Sequence, residues 1–436
     1  MFTPRLSRIA QNLSVSKTLR AAFCSAALAG AVVGASPALA EHEGGGALRL
    51  IKTVPFPATV PALHGFDISW IDSTTQRYYL ADRSGAAIDV IDAASGTFLK
   101  QIKPIPAFAG VKFNAAGAAN NAISGPHAVA TSGKWLFATD AGSRVVVIDL
   151  ATDKVVSDVK VDPSANRADE LAYDPEGGTL LVINNADTPP FGTLLKVNKT
   201  TGQLTIGQKI LFNTAGGVNA TNGAEQPVWD KRTGKFYLSI PEINCAAPCV
   251  PGSGPDGAVV SISPASTGKV EAVFPVKFCQ PAGLTLGPRG DLLIGCGVVF
   301  DTAGKVWSAS GTTTAAPISV IMDASDGSID KMVAGVSGSD EVWYNAGDGN
   351  YYLAARNNAG GPVLGVIDAK SKTLTQLIPT INVAGKANVF PAGTAHSVAV
   401  NRRNNQVFVP LAANNVFPDC LNGCVAVYAA PGDRDD

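Results

Sequence analysis

One segment recurs along this chain and constrains its fold more than any other feature. A β-branched and aromatic strand followed by small or polar residues stands at Arg77–Asp82 (RYYLAD), Trp135–Asp140 (WLFATD), Thr179–Asn184 (TLLVIN) and Lys235–Ser239 (KFYLS). It returns at Asp291–Gly295 (DLLIG), Asn350–Ala354 (NYYLA) and Gln406–Pro410 (QVFVP), giving seven copies. Each copy is followed by a second strand, such as Ala87–Asp92 (AIDVID) or Val145–Asp149 (VVVID), and in most copies by a turn and a third strand. The turns carry Asp, Ser and Gly, which tolerate the backbone angles of a tight reversal, so the strands are expected to pair as antiparallel hairpins. A short apolar segment precedes each pair, as at Gly65–Ser69, Ala128–Ala130 and Ser397–Val400, and should lie innermost. Four strands in each of seven units predict an all-β fold, a seven-bladed β-propeller. Leu48–Val54 is then a spare strand, and the last unit, ending near Tyr428, lacks an outer one. Joining the two closes the ring through the N-terminal strand and leaves no open sheet edge.

Residues 1–40 read as a cleaved signal peptide: Arg5, Arg8, Lys17 and Arg20 precede the small apolar run Ala21–Ala35, and Ala38-Leu39-Ala40 offers a cleavage site. Residues 41–46 follow as a flexible leader, in which Glu41-His42 would give a new N-terminus able to chelate copper. Residues 47–436 form the single propeller domain. They are expected to be periplasmic or secreted, with no membrane span after cleavage. Removing four positive charges from 34 leaves 30 against 35 acidic groups, a net charge of −5, and no basic run is present. Nucleic acid is therefore not an expected partner, whereas a small-molecule substrate or a protein partner is. Apart from Cys24, the cysteines fall into the local pairs Cys245 with Cys249, Cys279 with Cys296, and Cys420 with Cys424. Such spacing suits disulfide staples in an oxidising compartment, and a metal or redox site is the alternative for the two CxxxC pairs.

The stretches Tyr78–Ile102 (YYLADRSGAAIDVIDAASGTFLKQI) and Trp135–Val161 resemble the YVTN repeat of exported bacterial propellers. In that repeat a Tyr-Val-Thr-Asn-like strand precedes a Val-x-Val-Ile-Asp strand. This chain keeps an Asn at Asn184 and places Asp82 and Asp140 at the equivalent positions. The resemblance implies the propeller fold, with propeller lactonases and lyases as broader relatives. It does not imply one activity, because propellers host unrelated chemistries.

Three histidines, His64, His127 and His396, stand near the start of the innermost strands of units 1, 2 and 7, which are neighbours around a closed ring. Corresponding places elsewhere carry Glu170, Glu225-Gln226, Gln280 and Asp340-Glu341. Imidazoles beside carboxylates suit a divalent transition metal (Zn, Fe, Cu or Mn), so His64, His127 and His396 are the candidate ligands. Glu170, Glu225 and Glu341 are the candidate catalytic groups, as a fourth ligand or a general base. The competing reading is structural, with each polar group bonded to the backbone of the next unit. A second set lies at the ends of the second strands: Asp82-Arg83, Asp140, Asn184-Asn185, Glu242, Arg356-Asn357 and Asn414-Asn415. These suit either a calcium-like ion or ordinary turns. Arg83 and Arg356 could meet an anionic substrate or neighbouring acids. Loops 106–125, 213–225 and 244–255 are long enough to rim a site. GxSxG, P-loop, dinucleotide-binding and CxxCH haem motifs are absent. The leading expectation is a metal-dependent hydrolase or lyase acting on a small molecule at the channel mouth. The alternative is a non-enzymatic YVTN-like binding or scaffold protein for a protein or cell-surface partner.

Overall fold

A computed structural model describes residues 46–308, 311, 313–382 and 393–432. The expected signal peptide, and the leader except Gly46, lie outside the described residues. The described chain is all-β, with only three single-turn 3-10 segments between its strands. The strands form five four-stranded antiparallel sheets, one eight-stranded sheet and a two-stranded ribbon. The eight-stranded sheet is two four-stranded antiparallel halves, Pro227–Lys277 and Cys279–Ala334, joined by a single parallel bridge between Asp256 and Cys279.

Each four-stranded group is built in chain order, as in Phe66–Asp72, Arg77–Asp82, Ala87–Asp92 and Thr97–Ile102. The exception is the last sheet. There Ala399–Asn401, Gln406–Leu411 and Cys424–Ala429 are completed by the N-terminal strand Arg49–Pro55, which pairs antiparallel with Cys424–Ala429. The first strand of each group lies against the first strand of the next, and Ala399–Asn401 lies against Phe66–Asp72. Ser69 and Ser397 tie these two together, with 2.9 Å between their hydroxyls.

The second and third strands of each sheet are buried on both faces, which explains why they read as unbroken apolar runs and not as alternating ones. Tyr79, Ala81, Ile88 and Val90 pack on Leu136, Ala138, Val146 and Ile148 of the following sheet. The intervening residues Tyr78, Leu80 and Ile91 pack the other way, on Ala399, Phe408 and Val425 of the last sheet. Val54 and Phe56, at the end of the N-terminal strand, join this second cluster. The outermost strands, with one face in solvent, keep the polar alternation of Thr97–Ile102 and Lys154–Lys160.

The three cysteine pairs stand at disulfide distance, with Cα atoms 5.3 Å (Cys245, Cys249), 5.2 Å (Cys279, Cys296) and 4.9 Å (Cys420, Cys424) apart. No described helix is long and apolar enough to cross a membrane.

Candidate functional site: a charged cavity at the start of the first strands

Backbone hydrogen bonds define one recurrent position at the start of the first strands. The amides of His127, Asp169, Glu225 and Asp340 donate to Thr139, Ile183, Ser239 and Ala354 on the facing second strands, at 3.0, 2.7, 2.9 and 3.3 Å. The position after it repeats the pattern between sheets, with Ile68 N donating to His127 O at 3.0 Å and Glu341 N to His396 O at 3.2 Å. The first and last sheets therefore place Asp67 and His396 at the shared position.

This corrects the expected histidine triad. His64 precedes its strand, is exposed, and gives its backbone amide to Ser84 Oγ at 2.8 Å. It is not among the residues lining the cavity. The residue equivalent to His127 and His396 is Asp67, three positions further on.

The recurrent residues, His127 excepted, line a cavity of about 110 Å³ together with Arg83, Arg167, Arg356 and the glutamates Glu170 and Glu341. Each lining aspartate holds one guanidinium: Arg83 on Asp67, Arg167 on Asp169 and Arg356 on Asp340, each at 2.8 Å. Asp67 is the hub. Its Oδ2 also meets His127 Nδ1, and its Oδ1 meets His396 Nε2 at 3.0 Å. Burial opposes its ionisation, but Arg83 and the bonds from His127 and His396 hold its pKa well below the usual carboxylate range. The His396 ring stacks on Phe66, with centroids 4.9 Å apart. Arg167 is steadied from behind by Asn185, whose Oδ1 accepts from Nε at 3.0 Å. Gly338 lets the chain turn into Asp340. At φ +71°, a Cβ there would stand 2.2 Å from the carbonyl carbon of Asn357.

Among the described residues the three glutamates make no direct ion pair with an arginine, although Arg167 acts on Glu225 at longer range and partly offsets the rise in its pKa. Burial first, then the charges of Asp169 and Asp340, push Glu225 up to about 8. Glu170 and Glu341 are 6% and 5% exposed and hydrogen-bond to each other. Burial and neighbouring acids, Glu341 foremost for Glu170 and Asp340 foremost for Glu341, raise both well above their usual value. One cavity thus opposes a firmly ionised carboxylate to carboxyls that retain protons, the division of labour that acid–base chemistry requires.

Among the described residues, two groups of side chains stand close enough to hold a metal ion: Asp67 with His127 and Asp169, and Glu242 with Cys245 and Cys249. The residues do not fit an ion as they are arranged. Arg83 NH1 stands 2.8 Å from Asp67 Oδ2 and 3.2 Å from His127 Nδ1, so a guanidinium occupies the place a cation would take. His127 Nε2 meets Ser124 O at 2.8 Å, which engages its second nitrogen too. In the other group the two sulfurs are bonded to each other. Glu242 is spent on its own loop, accepting from Thr221 Oγ1 at 2.8 Å and from the amides of Gly252 and Gly254.

Of the second candidate set, Arg83, Asn185 and Arg356 belong to the cavity, whereas Asp140, Asn184, Glu242 and Asn414 bond within or between loops. Asp140 accepts from Arg144 at 3.0 Å and from Ala109 N at 3.1 Å. Asn184 donates to Ser143 Oγ at 2.8 Å, and Asn414 bonds within its own turn. Asp82 is wholly buried beside Asp89, with Gln101 Nε2 donating to both, and burial pushes it up to about 7. Gln280 donates to Gly252 O and Gly254 O at 3.0 and 2.8 Å, pinning loop 244–255.

No family model matches the chain, and no curated relative does. Among solved structures, the chain is similar to hydrazine synthase of Kuenenia stuttgartiensis, with a TM-score of 0.60 over 87% of this chain and 99% of that one. At 12% identity this likeness shows the fold alone, which is β-propeller-like.

Proposed function

We propose that the protein is an exported seven-bladed propeller whose charged cavity is the active site of a hydrolase- or lyase-type enzyme for a small polar molecule. Counting the two halves of the eight-stranded sheet as separate blades gives seven. The contact between Ala399–Asn401 and Phe66–Asp72, with Arg49–Pro55 as the outer strand of the last sheet, supports a ring closed by the N-terminal strand. Three cysteine pairs at disulfide distance support an oxidising compartment, periplasmic or extracellular.

The observation that carries the enzymatic reading is the asymmetry of the cavity. Three aspartates each hold an arginine at 2.8 Å, while among the described residues Glu170, Glu225 and Glu341 face the same space without a direct ion pair, Glu225 feeling Arg167 only at longer range. Asp67, with His127 and His396, is the fixed anion of the site. Glu225, pushed up to about 8 chiefly by burial, is the group that exchanges a proton with the substrate, and Glu170 and Glu341 hold a reserve proton opposite. Because Arg83 already neutralises Asp67, this reading routes the proton transfers through these side chains.

A panel of small lactones, esters and uronates, each with and without an amino substituent, tests this reading. Wild-type protein should turn over at least one member, and Glu225→Gln should reduce that turnover by about a hundredfold or more while its circular dichroism stays unchanged. No turnover of any member, together with full retention of binding to a protein or polysaccharide partner in Glu225→Gln, would instead support the scaffold reading.

A further inference from the structure

We infer that the molecule bound in this cavity carries an ammonium group, held between Glu170 and Glu341. The inference rests on the reading of the cavity as a small-molecule site and adds the chemical class of the ligand. Glu170 comes from the third sheet and Glu341 from the sixth, and both line the cavity although they are 6% and 5% exposed. Among the described residues no N–H group and no hydroxyl donates to either carboxyl; each meets only the other. The arginines that could have served them are already committed to aspartates at 2.8 Å. Buried carboxyls are ordinarily paired with a cation or given several donors. Here the protein supplies neither, so the pair must share protons or take its positive charge from a ligand.

A metal ion is the poorer candidate for that ligand. Coordination needs several donor atoms around one point, and the groups of described side chains close enough for it do not include Glu170 or Glu341. An ammonium group suits the pair better, because its three N–H donors on a compact charge can each take a carboxyl oxygen once the proton between the two glutamates is displaced. Glu225, on the same cavity wall and without an ion-pair partner among the described residues, offers a further acceptor. A cavity of about 110 Å³ accommodates a small ammonium-bearing group.

Binding would displace the proton held between the two glutamates, so ligand uptake should release protons and strengthen as pH rises. The test is isothermal titration of the purified protein with three probes matched in size: 2-hydroxyethylammonium, ethane-1,2-diol and glycolate. The expected result is binding of the ammonium probe alone, with proton release seen as a dependence of the heat on buffer ionisation. Its affinity should fall at least about tenfold in both Glu170→Gln and Glu341→Gln. Both variants should melt no lower than wild type, because each replaces a buried acid by a neutral isostere. Binding of the diol or glycolate in place of the ammonium probe would overturn the inference and leave the small-molecule reading standing. Silence from all three would overturn it as well, and the turnover panel then decides the wider reading alone.

Discussion

Asp67 shows at the residue scale how one carboxylate can organise a site. It holds Arg83, His127 and His396 through two oxygens, and its side chain is only 15% exposed. Removing the guanidinium would leave a buried carboxylate short of a cation, so Arg83→Met is expected to destabilise the fold by about 3–5 kcal/mol in urea denaturation. A loss below 1 kcal/mol would mean that Arg83 is not its main partner. Because the same guanidinium fills the place of a cation, prolonged treatment with a chelator is expected to leave the melting temperature unchanged; a drop would argue for a bound metal. Glu225 sets the sign of a pH effect. Its native pKa of about 8 lies above the ordinary 4.5, so the folded state keeps a proton that the unfolded chain gives up. Its contribution is therefore complete below pH 4.5 and lost as pH rises to about 8. Denaturation at pH 5 and pH 8 should show a smaller decline for Glu225→Gln than for wild type. Of these residues, His127, His396 and the three glutamates were legible in the sequence from their place ahead of the apolar strands. Asp67 was harder to see. His64 stands three residues before it, and only the backbone bonds of Ile68 and Glu341 fix which of the two shares the register of His127.

At the scale of the elements, the second and third strands were legible because burial on both faces writes a continuous apolar run into them. The N-terminal strand was legible for a different reason: the last unit was one strand short. Its pairing with Cys424–Ala429 covers what would otherwise be an open edge. A chain lacking residues 46–56 is expected to aggregate or lose its sharp melting transition, measured by light scattering during a thermal scan. A monomeric variant with the same melting temperature would show that the strand is dispensable. The second candidate set shows where reading by position fails. Asp140, Asn184 and Glu242 are as polar and as regularly placed as the cavity residues, but their partners are loop amides, hydroxyls and a local arginine, which spacing alone does not reveal.

At the scale of the whole molecule, the cavity exists because the first strands of different sheets begin at one place, so residues far apart in sequence share one electrostatic environment. Asp67 and His396 meet across 329 positions. Arg167 was not legible as a site residue, since it lies in the connection before its strand, where spacing gives no sign that it lines the cavity and pairs with Asp169. The balance of three arginines against three aspartates, with the glutamates left over, follows from that assembly. Infrared spectroscopy of the carboxyl groups at pH 7, on protein labelled at glutamate, tests it most directly. The expected spectrum contains protonated glutamate carboxyl bands that weaken in the Glu170→Gln/Glu341→Gln double variant and vanish only when Glu225→Gln is added. A wild-type spectrum with every glutamate ionised at pH 7 would contradict the account.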